Sequence, residues 1–377
     1  MPHPASERDA RDISLMRSTM PVPYPPGSAR TPINWPVNEK EDVLPHLKTA
    51  CSVAGIALLL SACSAAPGAA PAGPAPGSAA PGGAGTPTAG THNSAEDPPA
   101  TPKSVIGPGS SYVALGDSYT AGLGIPEQTG ATAGCGQSTS SYPYLVARSL
   151  RLKLTDMSCS SATIPDMTAA QPTGDGTNPA QLSGLSPGTA LVTVSIGGND
   201  IGIIGVVTKC AELDLIPSLI PGRTSSNLTP CEDYYTSGGT DQIQQRIQAV
   251  TGDLAETLTQ IKERSPHARV YVVGYPDLLP AGGGGCGDAL GITKADIAFL
   301  NREEARLNGV LREAAVAAGA GYVDTYTPSE GHDACAAPGS RWLEPLLPSA
   351  PAAPLHPNAV GERGMADAVV EGVKSGS

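Results

Sequence analysis

From residue 104 onward, two periodicities alternate along the chain. Residues 112–115, 191–196 and 270–273 are short apolar, β-rich runs, each closed by glycine, and 321–324 is a fourth run of the same kind. They read as buried strands. Between the second and third, Ile243, Ile247, Val250, Leu254, Leu258 and Ile261 recur at steps of three and four. That spacing predicts a long helix with an apolar stripe turned to a core. A second helix is predicted to start at Thr293, with Asp296 three residues on as the partner in a capping box, and a stripe of Ile297, Leu300, Leu307 and Leu311. A last helix runs from about Asn358 through Met365, Val369 and Val373. Strand alternating with helix implies parallel βαβ units with helices on both faces, an α/β fold.

The segment before this pattern differs in kind. Residues 65–102 are mostly Ala, Pro, Gly, Ser and Thr with no large apolar group. Such a tract cannot bury enough surface to offset its chain entropy and is expected to be a disordered, semi-extended tether. Ahead of it, residues 53–60 form an apolar stretch too short to span a bilayer as a helix. It fits the core of an export signal. Leu60, Ser61, Ala62 and Cys63 resemble a bacterial lipobox, so Cys63 is the expected lipidation site and the mature first residue. A signal this far into a chain is unusual, and a start near Val43 would leave one of ordinary length. The expected organisation is therefore an N-terminal extension over 1–42, a lipoprotein-type signal over 43–63, the tether over 64–104 and one catalytic-sized domain over 105–377.

The net charge is −12, and no basic cluster interleaves with aromatics, which argues against a nucleic-acid partner. Outside the signal, six cysteines remain: Cys135, Cys159, Cys210, Cys231, Cys286 and Cys335. They have no Cys-x-x-Cys spacing and no clustered His, so no metal is expected. An even count in an exported domain argues for three disulfides. Spacing alone leaves the connectivity open, consecutive pairing being the simplest.

Candidate chemistry comes from three distant segments. Gly116, Asp117, Ser118 and Tyr119 follow the first strand directly. A turn at the carboxyl end of a strand is where open α/β sheets place their ligands. Ser118 there could serve as a nucleophile, which needs a base to take its proton. Among the histidines, His356, just before Pro357 and the last helix, is the candidate; His332 reads as a surface residue in a disulfide-pinned loop and His267 as solvated after a helix end. Attack on an ester makes an oxyanion that needs preorganised donors. Asn199, in the turn of Gly197, Gly198, Asn199 and Asp200 after the second strand, can supply a side-chain N–H.

Together these segments resemble the SGNH (GDSL) hydrolase family, in its exported, disulfide-bearing esterase and lipase branch, over residues 105–373. Gly116, Asp117 and Ser118 look like its first block. The run from Cys159 to Thr163 looks like its second, with Ser161 where the family usually has Gly. Gly197 to Asp200 looks like the third, and His356 with Pro357 like the last. The resemblance implies a three-layer αβα sandwich with a mainly parallel central sheet, similar to flavodoxin. It implies the disulfides Cys135–Cys159, Cys210–Cys231 and Cys286–Cys335, and an oxyanion site made by the Ser118 and Ser161 main-chain N–H groups with Asn199. The family usually places Asp three residues before the histidine, where this chain has Ala353. A Ser118–His356 dyad follows, with the Ala353 main-chain carbonyl orienting the ring; Asp333 or Asp200 could contribute from elsewhere. The implied activity is carboxylic ester hydrolysis through a serine acyl-enzyme, without a cofactor. Phospholipase and carbohydrate deacetylase activities are alternatives within the fold, and a non-catalytic surface-binding lipoprotein is the alternative outside it. The expected partners are an ester or lipid substrate and a membrane reached through the anchor, and the expected state is an exported monomer.

Overall fold

The structure, a computed structural model, describes residues 103–218, 227–283, 286 and 290–376. They all belong to the compact unit Thr91–Ser377. The expected extension, signal and nearly all of the tether lie outside the described residues, Cys63 among them.

Five parallel strands form the central sheet: β1 (Ser111–Gly116), β2 (Lys153–Asp156), β5 (Leu191–Ser195), β6 (Arg269–Val273) and β7 (Gly321–Val323). Their order is β2-β1-β5-β6-β7. A separate hairpin pairs β3 (Gln171–Thr173) with β4 (Gly176–Asn178). The middle strands β1 and β5 are buried almost throughout, as strands covered on both faces must be. β2 was not legible as a strand, because on this edge only every second residue is even partly covered.

The helices are α1 (Ser118–Ala121), α2 (Tyr142–Leu150), α3 (Gly198–Ile201), α4 (Ile203–Ser218), α5 (Pro230–Tyr235), α6 (Gln242–Arg264), α7 (Lys294–Ala317) and α8 (Ala359–Ser375). On one side α2 packs against α8, and on the other α6 packs against α7, giving the αβα sandwich. The α6 stripe is buried as its spacing predicts, from Ile243 to Ile261. At α7 the capping box is half formed. Thr293 Oγ1 accepts from the Asp296 N–H, but the Asp296 carboxylate turns to the first turn of α5 and accepts from the Cys231 and Glu232 N–H groups. Those orphan donors outcompete the Thr293 N–H, which goes to Asp214 instead.

The disulfides are Cys135–Cys159, Cys210–Cys231 and Cys286–Cys335. The strand order is that of a doubly wound sheet: the chain steps from β1 to β2 on one side, then crosses back to β5 on the other side of β1. Its switch point lies between β1 and β5, where the crevice at the strand ends opens.

The last helix is seated by a close approach. Cβ atoms built at Gly361 and Gly364 would lie 2.4 Å from the Trp342 carbonyl oxygen and 2.1 Å from its ring. Gly364→Ala should therefore destabilise the domain by about 1–3 kcal/mol through overpacking, despite alanine's better helix propensity. A thermal unfolding midpoint at or above that of the parent would contradict this contact.

Candidate active site

Ser118 opens α1 immediately beyond β1. The turn that presents it has little freedom. A Cβ at Gly116 would lie 2.2 Å from Thr120 Oγ1 and 2.6 Å from the Ser195 carbonyl oxygen, so only glycine fits. The Gln181 side chain pairs with the Gly116 main chain in both directions, at 2.8 and 2.9 Å. Asp117 caps α1 by accepting from the Tyr119 N–H at 3.0 Å.

Ser118 Oγ lies 2.7 Å from His356 Nε2, and both residues are buried. The other ring nitrogen, Nδ1, lies 2.7 Å from the Pro354 carbonyl oxygen. A carbonyl only accepts, so Nδ1 carries the proton, and in the neutral ring Nε2 is left free to accept from the serine hydroxyl. Burial lowers the His356 pKa below its usual 6.5, with the Pro354 carbonyl acting the other way.

The expected orienter, Ala353, is replaced by Pro354. The Ala353 carbonyl accepts the His356 main-chain N–H at 3.2 Å, closing the turn, so it is already occupied when the ring reaches back two residues. Among the described residues no carboxylate bonds to the ring. Asp200 accepts from the Ile164 N–H, and Asp333 caps the Cys335 N–H. His332 lies apart from Ser118, stacked on Trp342 with its Nδ1 2.6 Å from the Ser340 carbonyl oxygen.

The other expected groups converge on the same crevice. Ser161 sits in a turn closed by the Ala162 N–H on the Cys159 carbonyl, at a φ of 63°. That left-handed backbone explains why glycine suits the position and marks the serine as locally strained. The Cys135–Cys159 disulfide and the Ser160 bonds to the Cys135 carbonyl hold the turn. Asn199 Nδ2 donates to the Ala162 carbonyl at 2.9 Å, which ties the Ser161 turn to the end of β5 and leaves its second N–H unspent.

Several contributors were not anticipated. Tyr275, beyond β6, donates to Asp117 at 2.5 Å and accepts from the Gly198 N–H at 2.9 Å, joining the serine turn to the asparagine turn. Burial raises the Asp117 carboxyl to about 7, and the Tyr275 and Tyr119 hydrogen bonds limit the rise. Tyr119 donates to the Leu355 carbonyl at 2.6 Å, and its ring lies 5.0 Å from that of His356. A tyrosine next to a candidate nucleophile was a usable signal, whereas Tyr275 had only its place after a strand to recommend it.

Glu344 is a further unanticipated group. Its main chain clamps the histidine loop, donating to the His356 carbonyl and accepting from the Leu355 N–H, each at 3.0 Å. Its buried carboxylate accepts from Asn358 Nδ2 at 2.8 Å, the Ser349 N–H at 2.8 Å and the Ala350 N–H at 3.1 Å, with Arg341 3.9 Å away. Burial works to raise its pKa, but those donors and Arg341 outweigh it and hold the carboxyl below its usual range. A depressed carboxyl contributes stability above its unfolded pKa and loses it as pH falls through the folded value. Glu344→Gln should cost about 1–3 kcal/mol at neutral pH, and the gap from the parent should narrow on acidification. A gap in thermal stability that widens toward low pH would contradict the network.

The GDSL-like lipase/acylhydrolase family model matches residues 114–363. Lipase 2 of Streptomyces coelicolor is 40% identical over 262 residues, which cover 69% of this chain and 84% of the relative. Lipase 1 of the same organism is 31% identical over 254 residues, 67% of this chain and 82% of that one. Among solved structures, an extracellular lipase from Streptomyces rimosus superposes with a TM-score of 0.56 at 29% identity, over 70% of this chain and 99% of the other. Phospholipase A1 from Streptomyces albidoflavus gives 0.55 at 25%, over 71% and 100%.

Proposed function

Because the chain belongs to the GDSL-like lipase/acylhydrolase family, we propose that it hydrolyses carboxylic esters through an acyl-enzyme on Ser118. It is a serine ester hydrolase by family, and the observation that carries the residue assignment is the 2.7 Å contact of Ser118 Oγ with His356 Nε2. His356 takes the serine proton as Oγ attacks the ester carbonyl. The negative charge that develops on the carbonyl oxygen is met by the N–H groups of Ser118, Ser161 and the free one of Asn199. The imidazolium then gives its proton to the leaving alcohol. Water, deprotonated by the same ring, releases the acid.

In this scheme the Pro354 carbonyl fixes the tautomer, as a carboxylate would. It brings no negative charge, so the imidazolium is stabilised less than it would be beside an Asp. The ring also stays neutral to lower pH, because burial depresses its pKa. A base must be neutral to act, so kcat/KM should hold its plateau down to neutrality and fall only below pH ~6.5. An acid limb centred above that pH would argue against His356 as the base.

Ser118→Ala should abolish ester turnover with the fold intact, and His356→Ala should be nearly as damaging, since the two act as a unit. Asn199→Ala should lower kcat by roughly 10²–10³, as for loss of one oxyanion donor. His332→Ala should cost little. Kinetics in which His332→Ala is inactive and His356→Ala is active would overturn the assignment.

The three disulfides support an exported destination. Lipidation of Cys63 would hold the protein to a membrane through its acyl chains, each buried CH₂ contributing roughly 0.8 kcal/mol. Cell fractionation of Cys63→Ser should find the protein released or unprocessed; unchanged membrane association would reject the anchor.

A further inference from the structure

In a parallel sheet every strand starts at one end of the domain and every crossover helix finishes there. Ser118 and Asn199 follow strands at the opposite end, so this basal end faces away from the candidate active site. Although the chain is acidic overall, its basal end is rich in cations. Arg148 lies in the last turn of α2, and Arg151 and Lys153 lie at the entry to β2. Arg264 and Lys374 lie in the last turns of α6 and α8. Lys103 precedes Ser104, whose N–H donates to the His267 carbonyl just before β6.

These six side chains are exposed. None forms an ion pair among the described residues; every ion pair there uses Lys209, Arg302, Arg306, Arg312 or Arg341 instead. Helix dipoles favour a cation at each helix end, Arg151 at the C-cap of α2 included, but Lys103 and Lys153 lie at no helix end. Three exposed acids lie toward helix ends at this face, Glu263 on α6, Glu313 on α7 and Glu371 on α8, and pair with none of the six. Burial and the charge of Lys262 together lower the Lys103 pKa, as expected where cations crowd.

The patch is also amphipathic. A basal cavity of about 530 Å³ is lined by Arg151, Arg269 and Lys374 together with Ile106, Leu150 and Val373. Val105, at its rim, is 91% exposed. Apolar side chains among unpaired cations suit a surface that offers anionic headgroups above hydrocarbon, and suit a soluble polyanion less.

We propose that the basal face docks on an anionic phospholipid surface, with the candidate active site turned outward to solution. The proposal does not rest on the catalytic reading. It assigns an orientation: bound in this way, the domain meets esters arriving from solution, and the lipids beneath it lie on the far side of the sheet.

The test uses the full chain carrying Cys63→Ser, so that no acyl chain contributes, with phosphatidylcholine vesicles prepared with and without phosphatidylglycerol. Each cation near such a surface contributes about 1 kcal/mol, or about five-fold in partitioning. Arg151→Gln, Lys153→Gln and Lys374→Gln combined should lower partitioning onto the anionic vesicles by roughly a hundred-fold. Lys209→Gln, Lys294→Gln and Arg302→Gln combined remove the same charge from elsewhere and should change it little. Raising the salt toward 1 M, where the screening length is about 3 Å, should release the parent. Turnover of a soluble nitrophenyl ester should be equal for bound and free parent, since the vesicle covers the opposite end. Equal vesicle binding by the basal variant and the parent, or equal loss in the two variants, would overturn the proposal. So would binding to polyphosphate with the same dependence on the three residues and none to vesicles. Absence of ester turnover in every form would instead count against the catalytic reading and leave the docking result standing.

Discussion

The parallel pairing of β1 with β5 is the constraint from which the rest of the site follows. Its register sets Gly116 beside Ser195, so the two strands end level and the turns that leave them must share one crevice. The ladder continues past the strands, with the Asp117 N–H on the Ser195 carbonyl. A slip by one residue would reverse every side chain on a strand that is buried on both faces. Positions that look like independent loop choices are therefore fixed together. Tyr275 then bridges Asp117 to Gly198, and Asn199 bridges to the Ser161 turn, so neither turn can shift alone.

The histidine comes from a different part of the molecule and is held by different means. Three consecutive carbonyls, those of Pro354, Leu355 and His356, are each taken by a separate donor: the ring itself, Tyr119 and the Glu344 main chain. Leu355 has a φ of 62°, a conformation that a branched side chain does not choose unaided. The buried Glu344 carboxylate stabilises the clamp from beneath, through Asn358 and two main-chain N–H groups. The negative charge that this loop carries thus serves its framework, while a neutral carbonyl faces the ring.

The sequence made the periodic parts legible. Strands β1, β5 and β6, the stripe of α6 and the helix after Asn358 were readable because buried apolar residues recur at a fixed step. The edge strand β2 was not, since only one of its faces is even partly covered and its residues are mixed. Ser118, Asn199 and His356 could be singled out because each sits in a short run of turn residues beside a strong element. The orienter was off by one residue: the family spacing that led to Ala353 describes a side chain reaching the ring, whereas a carbonyl does so from nearer in the chain. Tyr275 and Glu344 were illegible for a general reason. Their roles are hydrogen bonds to groups far along the chain, and no local pattern encodes a long-range partner.

The contact between Ser118 and His356 spans 238 residues, nearly the length of the domain. Closing so long a loop is entropically unfavourable until the intervening sheet is assembled. Synthesis proceeds from the amino end, so Ser118 emerges long before His356, which itself precedes the segment that becomes α8. A chain caught part-way through synthesis holds the serine without its imidazole. The pair thus joins a group made early to one made late, and the loop that carries the late one runs directly into α8, seated against Trp342.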